Sequence, residues 1–185
     1  MIGSQIVTAL QTIVSRQIDI TAQPAVLTVG QFEAGVRHNI IPDSARLVGT
    51  VRTFDAAMRK DIHARIERTA GSIAEAGGGT AEVRIDPGYP VTVNHPGLTE
   101  QMLPTLRRIF GDRLFEGPKI GGAEDFSYFQ QQVPGLFLFL GITPKAQVGQ
   151  AAQNHSPRFE VDEAALLTGV RAFVHLALDY AAGRK

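Results

Sequence analysis

AVLTVGQFEAGVRHNIIPDSARLVGTVRTFD, residues 25–55, contains two runs of strand character separated by a turn. The first, Ala25 to Glu33, is rich in β-branched and aromatic side chains (Val26, Thr28, Val29, Phe32), which suit a pleated, half-buried surface. The second, Arg46 to Phe54, sets Leu47, Gly49 and Val51 against Arg46, Val48, Thr50 and Arg52 at period two. Leu47 and Val51 are therefore expected to face a core and Arg52 the opposite way. Between the runs, Ile41-Pro42-Asp43-Ser44 carries turn chemistry: Pro42 fixes φ, and Asp43 and Ser44 can bond their own backbone. The stretch predicts a β-hairpin, with Asn39 at the rim of a sheet and Arg52 on its open face.

Upstream, Met1 to Ile18 repeats Ile2, Ile6, Leu10, Ile13 and Val14 at helical spacing, with Ser4 as an acceptable N-cap. Downstream, Asp55 is placed to cap a helix whose apolar stripe is Met58, Ile62, Ile66, Ala70 and Ile73 and whose end is Gly77-Gly78-Gly79. Thr80 to Ile85 reads as a third strand. The order helix, strand, strand, helix, strand is a ferredoxin-like α+β pattern lacking its first strand.

Asp86-Pro87-Gly88-Tyr89-Pro90 stops the third strand and divides the chain into residues 1–88 and 89–185. In the second part, Leu98, Met102, Leu106 and Ile109 outline a helix that Pro104 must kink or split and that Gly111 ends. Gly121-Gly122-Ala123-Glu124-Asp125-Phe126 leads into a short helix, where the two acidic side chains offset the helix dipole. Leu136 to Leu140 is an unbroken apolar run suited to a strand buried on both faces. The last helix starts at Asp162, with Leu166, Val170, Phe173, Val174, Ala177 and Ala181 as its expected buried stripe.

With 44% hydrophobic residues, the 185-residue chain can bury the core of one domain or of two small ones. Lys+Arg and Asp+Glu balance at 18 each, so there is no electrostatic footprint for nucleic acid or an anionic membrane. The absence of cysteine excludes disulfides and thiolate ligands and fits a cytoplasmic protein. Gln5, Thr8, Gln11, Thr12 and Arg16 interrupt the first apolar segment, which therefore predicts neither a signal peptide nor a membrane span. Of the five histidines, His63 and His175 are expected on solvated helix surfaces and His95 in a loop before Pro96.

Two motifs carry a resemblance. Asn39-Ile40-Ile41-Pro42-Asp43 is followed by Gly49-Thr50-Val51-Arg52, and Asn154-His155-Ser156-Pro157-Arg158-Phe159 contains His-Ser-Pro-x-Phe. Together they resemble the dinuclear metallopeptidase and amidohydrolase family that includes hippurate hydrolases, aminoacylases and the hydrolases of indole-acetic-acid conjugates. The first part of the chain is similar to that family's lid, or dimerisation, domain, and the second to the C-terminal part of its α/β/α catalytic domain.

The resemblance implies that Asn39 and Arg52 bind the carboxylate of a small N-acyl amino acid or the carbonyl under attack, reaching across a homodimer. His38 adjoins Asn39 and is a further candidate for substrate contact. Gly121 and Gly122 are candidates to present backbone N–H groups to substrate, since glycine permits close approach. His155 matches a ligand to one of two divalent metals, zinc or manganese. The family's other ligands and its general-base glutamate lie in an N-terminal half that these residues do not match, so no catalytic residue is assigned. The implied function is that of a fragment of a metal-dependent amide hydrolase, inactive alone. The competing reading is a non-catalytic dimerisation or ligand-binding module.

Overall fold

In a computed structural model that describes residues 1–183, strands β1 (Ala25–Ala34) and β2 (Ala45–Thr53) pair antiparallel, from Ala25 opposite Thr53 to Ala34 opposite Ala45. The register slips between Val29 and Gln31, leaving Gly30 as an extra residue. This bulge changes the parity of β1. Leu27 and Val29 pack on the core ahead of it, whereas beyond it Phe32, opposite Leu47, turns its ring onto helix α1 (Ile2–Thr12) at Gly3.

Leu47 and Val51 pack against the core and Arg52 is exposed, as the alternation predicts. Gly49 is obligatory for a different reason: a Cβ there would stand 2.3 Å from the Thr28 carbonyl oxygen. Backbone in a paired strand cannot move aside. Gly49→Ala is therefore expected to cost about 2–3 kcal/mol, read as a lower denaturation midpoint of this region, against which an unchanged midpoint would count.

The chain forms two compact units, one of Met1–Val91 with Ile120–Glu124, the other of Thr92–Lys119 with the residues from Asp125 onward. In the first, α1 and helix α2 (Ala56–Ala76) cover the hairpin. Their core is Ile6, Leu10, Ile13, Leu27, Ile62 and Ala70, with Ile13 and Ile62 fully buried. Each fully buried isoleucine contributes roughly 1.5–3 kcal/mol from its removal from water. Asp55 caps α2 by accepting from the Met58 N–H at 2.6 Å. The α-helical hydrogen bonding of α1 gives way after Thr12 to a π turn, Ile13–Gln17, and Ser4 lies inside the helix, its hydroxyl donating to the Met1 carbonyl, rather than capping it.

Two expected strands do not form. Residues 80–85 place Val83 on the core but join no ladder, so the sheet has two strands. The apolar pattern is satisfied there while the backbone has no neighbouring strand to pair with, and a strand is defined by that pairing. Leu136 to Leu140 also lies outside any ladder. Its Phe137 is bracketed by a side chain instead: Asn94 Nδ2 donates to the Phe137 carbonyl at 2.9 Å, and the Phe137 N–H donates to Asn94 Oδ1 at 2.7 Å. One carboxamide thus supplies the donor and acceptor that an adjacent strand would offer.

In the second unit, helix α3 (Pro96–Phe110) runs unbroken through Pro104 and ends at Gly111, whose φ is +56°. His95 is its N-cap rather than a loop residue, with Nδ1 accepting from the Leu98 N–H and Pro96 in the first turn. Helix α4 (Phe126–Gln130) is short, and helix α5 (Glu163–Ala182) starts behind Asp162, which accepts from the Ala164 N–H. Asp179 on α5 accepts from Thr105 and Arg108 on α3, and those two bonds hold its carboxyl below the usual carboxylate range.

The apolar stripe expected to be buried on α5 faces outward. Leu166, Val170, Phe173 and Val174 are 50–76% exposed, Ala177 and Ala181 are exposed too, and Leu167 and Leu178 extend the face. The covered side is Ala165, Gly169, Ala172, Leu176 and Asp179, whose small residues let neighbours approach: a Cβ on Gly169 would meet Leu140 at 2.9 Å. Helical periodicity reports that a face is apolar, not which of two apolar faces finds a partner. By length and composition α5 is also the one helix among the described residues able to cross a membrane. His63 is half-buried rather than solvated, and burial, then the nearby Arg59 charge, lowers its pKa.

Candidate functional site

The loop joining the strands, residues 35–44, leaves β1 through Gly35 at φ +80° and tightens at Arg37–Ile40, where the Ile40 N–H donates to the Arg37 carbonyl at 3.3 Å. His38 and Asn39 occupy the centre of that turn and are exposed, flanked by Val36 and Ile41, each more than 90% exposed. The hydrogen-bonded turn thus lies ahead of the Pro42-Asp43 segment credited with it from the sequence.

Arg52 lies on the open face opposite Val26, and its guanidinium Nη1 donates to the Gly121 carbonyl. The stem lies along the same peptide, since a Cβ on Gly121 would be 3.5 Å from Arg52 Cδ. The chain therefore presents the Gly121 carbonyl oxygen, not its N–H, to the candidate arginine. Gly121 and Gly122 are exposed, and Asp125 takes the N-cap position of α4 without a side-chain cap bond.

Asn39 and Arg52 belong to opposite ends of the hairpin. The step along β2 from Ala45, where the loop joins, to Arg52, where β1 begins, covers about 23 Å at strand rise.

His155 sits in the second unit within the turn Gln153–Ser156, which runs on at Ser156 into a second turn, Ser156–Phe159; the two are closed by bonds of 3.1 and 3.0 Å. Its φ is +69°, and among the described residues it is the one non-glycine residue in the left-handed region. A histidine held there costs on the order of 1–3 kcal/mol, and such strain concentrates where a side chain must be aimed. Among the described residues no group of three or more His, Asp or Glu side chains is placed to hold a metal ion.

The structure thus brings Arg52 and Gly121 together and sets His38 beside Asn39, while among the described residues His155 belongs to no group of three or more metal-binding side chains. The Arg52–Gly121 bond spans 69 positions, and no local sequence signal marks it. Residues 4–179 match the model of peptidase family M20/M25/M40. The chain belongs to this family.

It is 38% identical over 180 residues to thermostable carboxypeptidase 2 of Saccharolobus solfataricus, covering 97% of this chain and 45% of that protein. It is 32% identical over 176 residues to the N-acetylcysteine deacetylase of Bacillus subtilis, covering 95% of this chain and 44% of the relative. The fold is similar to that of the B. subtilis YXEP protein, described as a dinuclear metal binding peptidase from the M20 family. That likeness has a TM-score of 0.77 at 29% identity and covers 95% of this chain and 44% of the other. The chain thus spans less than half the length of the curated relatives it matches.

Proposed function

We propose that this M20 chain supplies the lid and the closing part of the catalytic domain of a metal-dependent hydrolase that cleaves the amide bond of N-acyl amino acids or related small conjugates. The observation that supports this most directly is its alignment, over nearly its whole length, with a relative named for deacetylating N-acetylcysteine. Residues 1–88 are the lid, whose sheet in this chain is the hairpin of β1 and β2, and 89–185 belong to the α/β/α catalytic domain.

Arg52 pairs with the substrate carboxylate, and Gly121 and Gly122 line the same site. Asn39, with His38 beside it, reaches the substrate of a second copy in a homodimer formed through the lid. The separation of Asn39 and Arg52 along the hairpin supports this division of labour. His155 is the one metal ligand this chain contributes, and its left-handed backbone supports that role. The residues present do not form a metal site by themselves.

The purified chain is accordingly expected to carry no stoichiometric zinc or manganese and not to hydrolyse N-acetyl amino acids, because a bound metal of this kind needs three or four protein ligands. Elemental analysis and a ninhydrin assay for released amino acid check both points. Two bound metals per chain, or metal-dependent turnover that disappears in His155→Ala, would overturn the reading.

A further inference from the structure

We propose that residues 136–140 carry a free backbone edge, formed by Leu136, Leu138 and Leu140, that accepts an apolar β-strand from the part of the hydrolase these 185 residues do not cover. The outward face of α5 is the cover for that strand. The inference rests on the reading that residues 89–185 are one part of a larger catalytic domain.

In an extended run, the N–H and C=O of one residue point to the same edge and those of the next residue to the opposite edge. Phe137 gives both groups to Asn94, and the Gly135 carbonyl accepts from the His95 N–H at 2.9 Å. Positions 135 and 137 therefore face residues 94–95, and positions 136, 138 and 140 face away from them. Among the described residues, none bonds the backbone of Leu136, Leu138 or Leu140.

The run is covered on its two faces, all within the second unit. Phe137 and Phe139 share one face, with their rings edge to face at 5.2 Å, and Phe137 meets Phe126 of α4 at 5.8 Å. Leu140, of the other parity, lies against α5 at Gly169, and the Asp162 N–H at the start of α5 donates to the Ile142 carbonyl at 2.8 Å. A single strand lying between two helices is one member of a sheet with a helix on each face.

The side to which α5 overhangs follows from its sequence. Helical rotation sets Leu176, Ala165, Ala172 and Asp179 roughly 20–80° to one side of Gly169, and Phe173, Leu166 and Val170 roughly 40–100° to the other. The first side packs on α3, through the bonds from Thr105 and Arg108 to Asp179. Because α3 begins at Pro96, directly after residues 94–95, it lies toward the occupied edge of the run. The exposed apolar side of α5 therefore stands over the free edge.

The width of that side decides the occupant. A helix about 10 Å across covers about two strands at a spacing of about 4.8 Å, beyond the run itself. A second copy of this chain, offering its own residues 136–140, supplies one. The matched relatives supply more, since this chain covers 45% and 44% of two of them. With α5 on one side and the aromatic rings on the other, the incoming strand is apolar on both faces.

Amide hydrogen exchange resolved at single residues tests this, in the isolated chain and in the chain joined to the part of the B. subtilis N-acetylcysteine deacetylase outside its alignment with this chain. In the dilute isolated chain, the Leu138 and Leu140 amides are expected to exchange ~10-fold or more faster than that of Phe137, which is bonded to Asn94. In the joined protein both are expected to slow by ~100-fold or more while Phe137 changes little, as for amides entering a ladder.

Leu138 and Leu140 amides as slow as Phe137 in the dilute isolated chain would show that the edge is not free and overturn the proposal; this arm needs no joined protein. Protection that grows with the concentration of the isolated chain would make a second copy the occupant. Binding of the joined protein to phosphatidylcholine vesicles that Phe173→Lys abolishes would make the α5 face a lipid contact. Either result also overturns the proposal. If the joined protein hydrolyses N-acetyl-L-cysteine and the two amides stay fast, the strand-accepting edge falls while the hydrolase reading stands. Slowed amides in a joined protein that hydrolyses no N-acetyl amino acid would keep the edge and remove that reading.

Discussion

When the chain is joined to an N-terminal half of the M20 family, Arg52→Ala is expected to lower kcat/KM by ~100-fold or more. That corresponds to the loss of about 3 kcal/mol, the upper range for a hydrogen bond to a charged group in a closed site. Arg52→Lys should recover only part of it, since an ammonium cannot reproduce the two-pronged contact. Mixed dimers test the two proposed substrate-binding residues separately. Arg52 bonds Gly121 of its own chain, so a mixture of Arg52→Ala and His155→Ala proteins should stay as inactive as its components. Asn39 sits on the loop at the far end of the hairpin, so a mixture of Asn39→Ala and His155→Ala should regain activity. In that hybrid, one site has an intact His155 and receives an intact Asn39 from the other copy. Rescue of the Arg52 mixture would show that Arg52 also serves its partner, and failure of the Asn39 mixture would remove Asn39 from the shared site.

The isolated 185-residue chain is expected to self-associate and to melt weakly. On α5, Leu166, Leu167, Val170, Phe173, Val174 and Leu178 are each at least 50% exposed, a contiguous apolar face of the kind that drives association. The sheet consists of two strands, and such a hairpin has unpaired edges and little stability without further support. Sedimentation should give species heavier than the 19.9 kDa monomer, with the hairpin and α2 most protected from hydrogen exchange. The double variant Val170→Glu, Phe173→Lys should weaken association by ~10-fold or more while leaving α3 packed on α5, because it alters only the outward face. A monodisperse monomer with a cooperative transition above ~60 °C, at or beyond the usual mesophile range, would overturn the expectation.

The elements that local chemistry dictates were legible in the sequence. Asp55 and Asp162 start their helices with the cap bonds expected of aspartate, Gly111 ends α3, and the alternation around Leu47 and Val51 gives the inner face of β2. What escaped depends on neighbours. Residues 80–85 and 136–140 have the composition of strands, but composition carries no hydrogen-bond partner, and at Phe137 a side-chain amide takes that place. The α5 stripe was read from its larger apolar residues, whereas the packed face uses Ala165, Gly169 and Ala172, which periodicity weights lightly.

Among the candidate site residues, motif matching singled out His155, and only the backbone reveals that it is strained. Arg52 was likewise visible as an outward strand arginine. Its partner 69 positions away was not, because a bond of that separation follows from folding and leaves no spacing to read.

The extra residue at Gly30 works like a frame shift within a strand. Ahead of it the odd positions Leu27 and Val29 point inward, and behind it the even position Phe32 does. Removing the one residue would keep every side chain and reverse the address of the last four, sending Gln31 and Glu33 toward α1 and Phe32 into water. A side chain added at position 30 meets nothing within 4 Å, so the strand tolerates what stands there. What it needs is that something does. Length, more than identity, is thus the inherited information at this point of the hairpin, and substitution scanning would pass over it where a single-codon deletion would not.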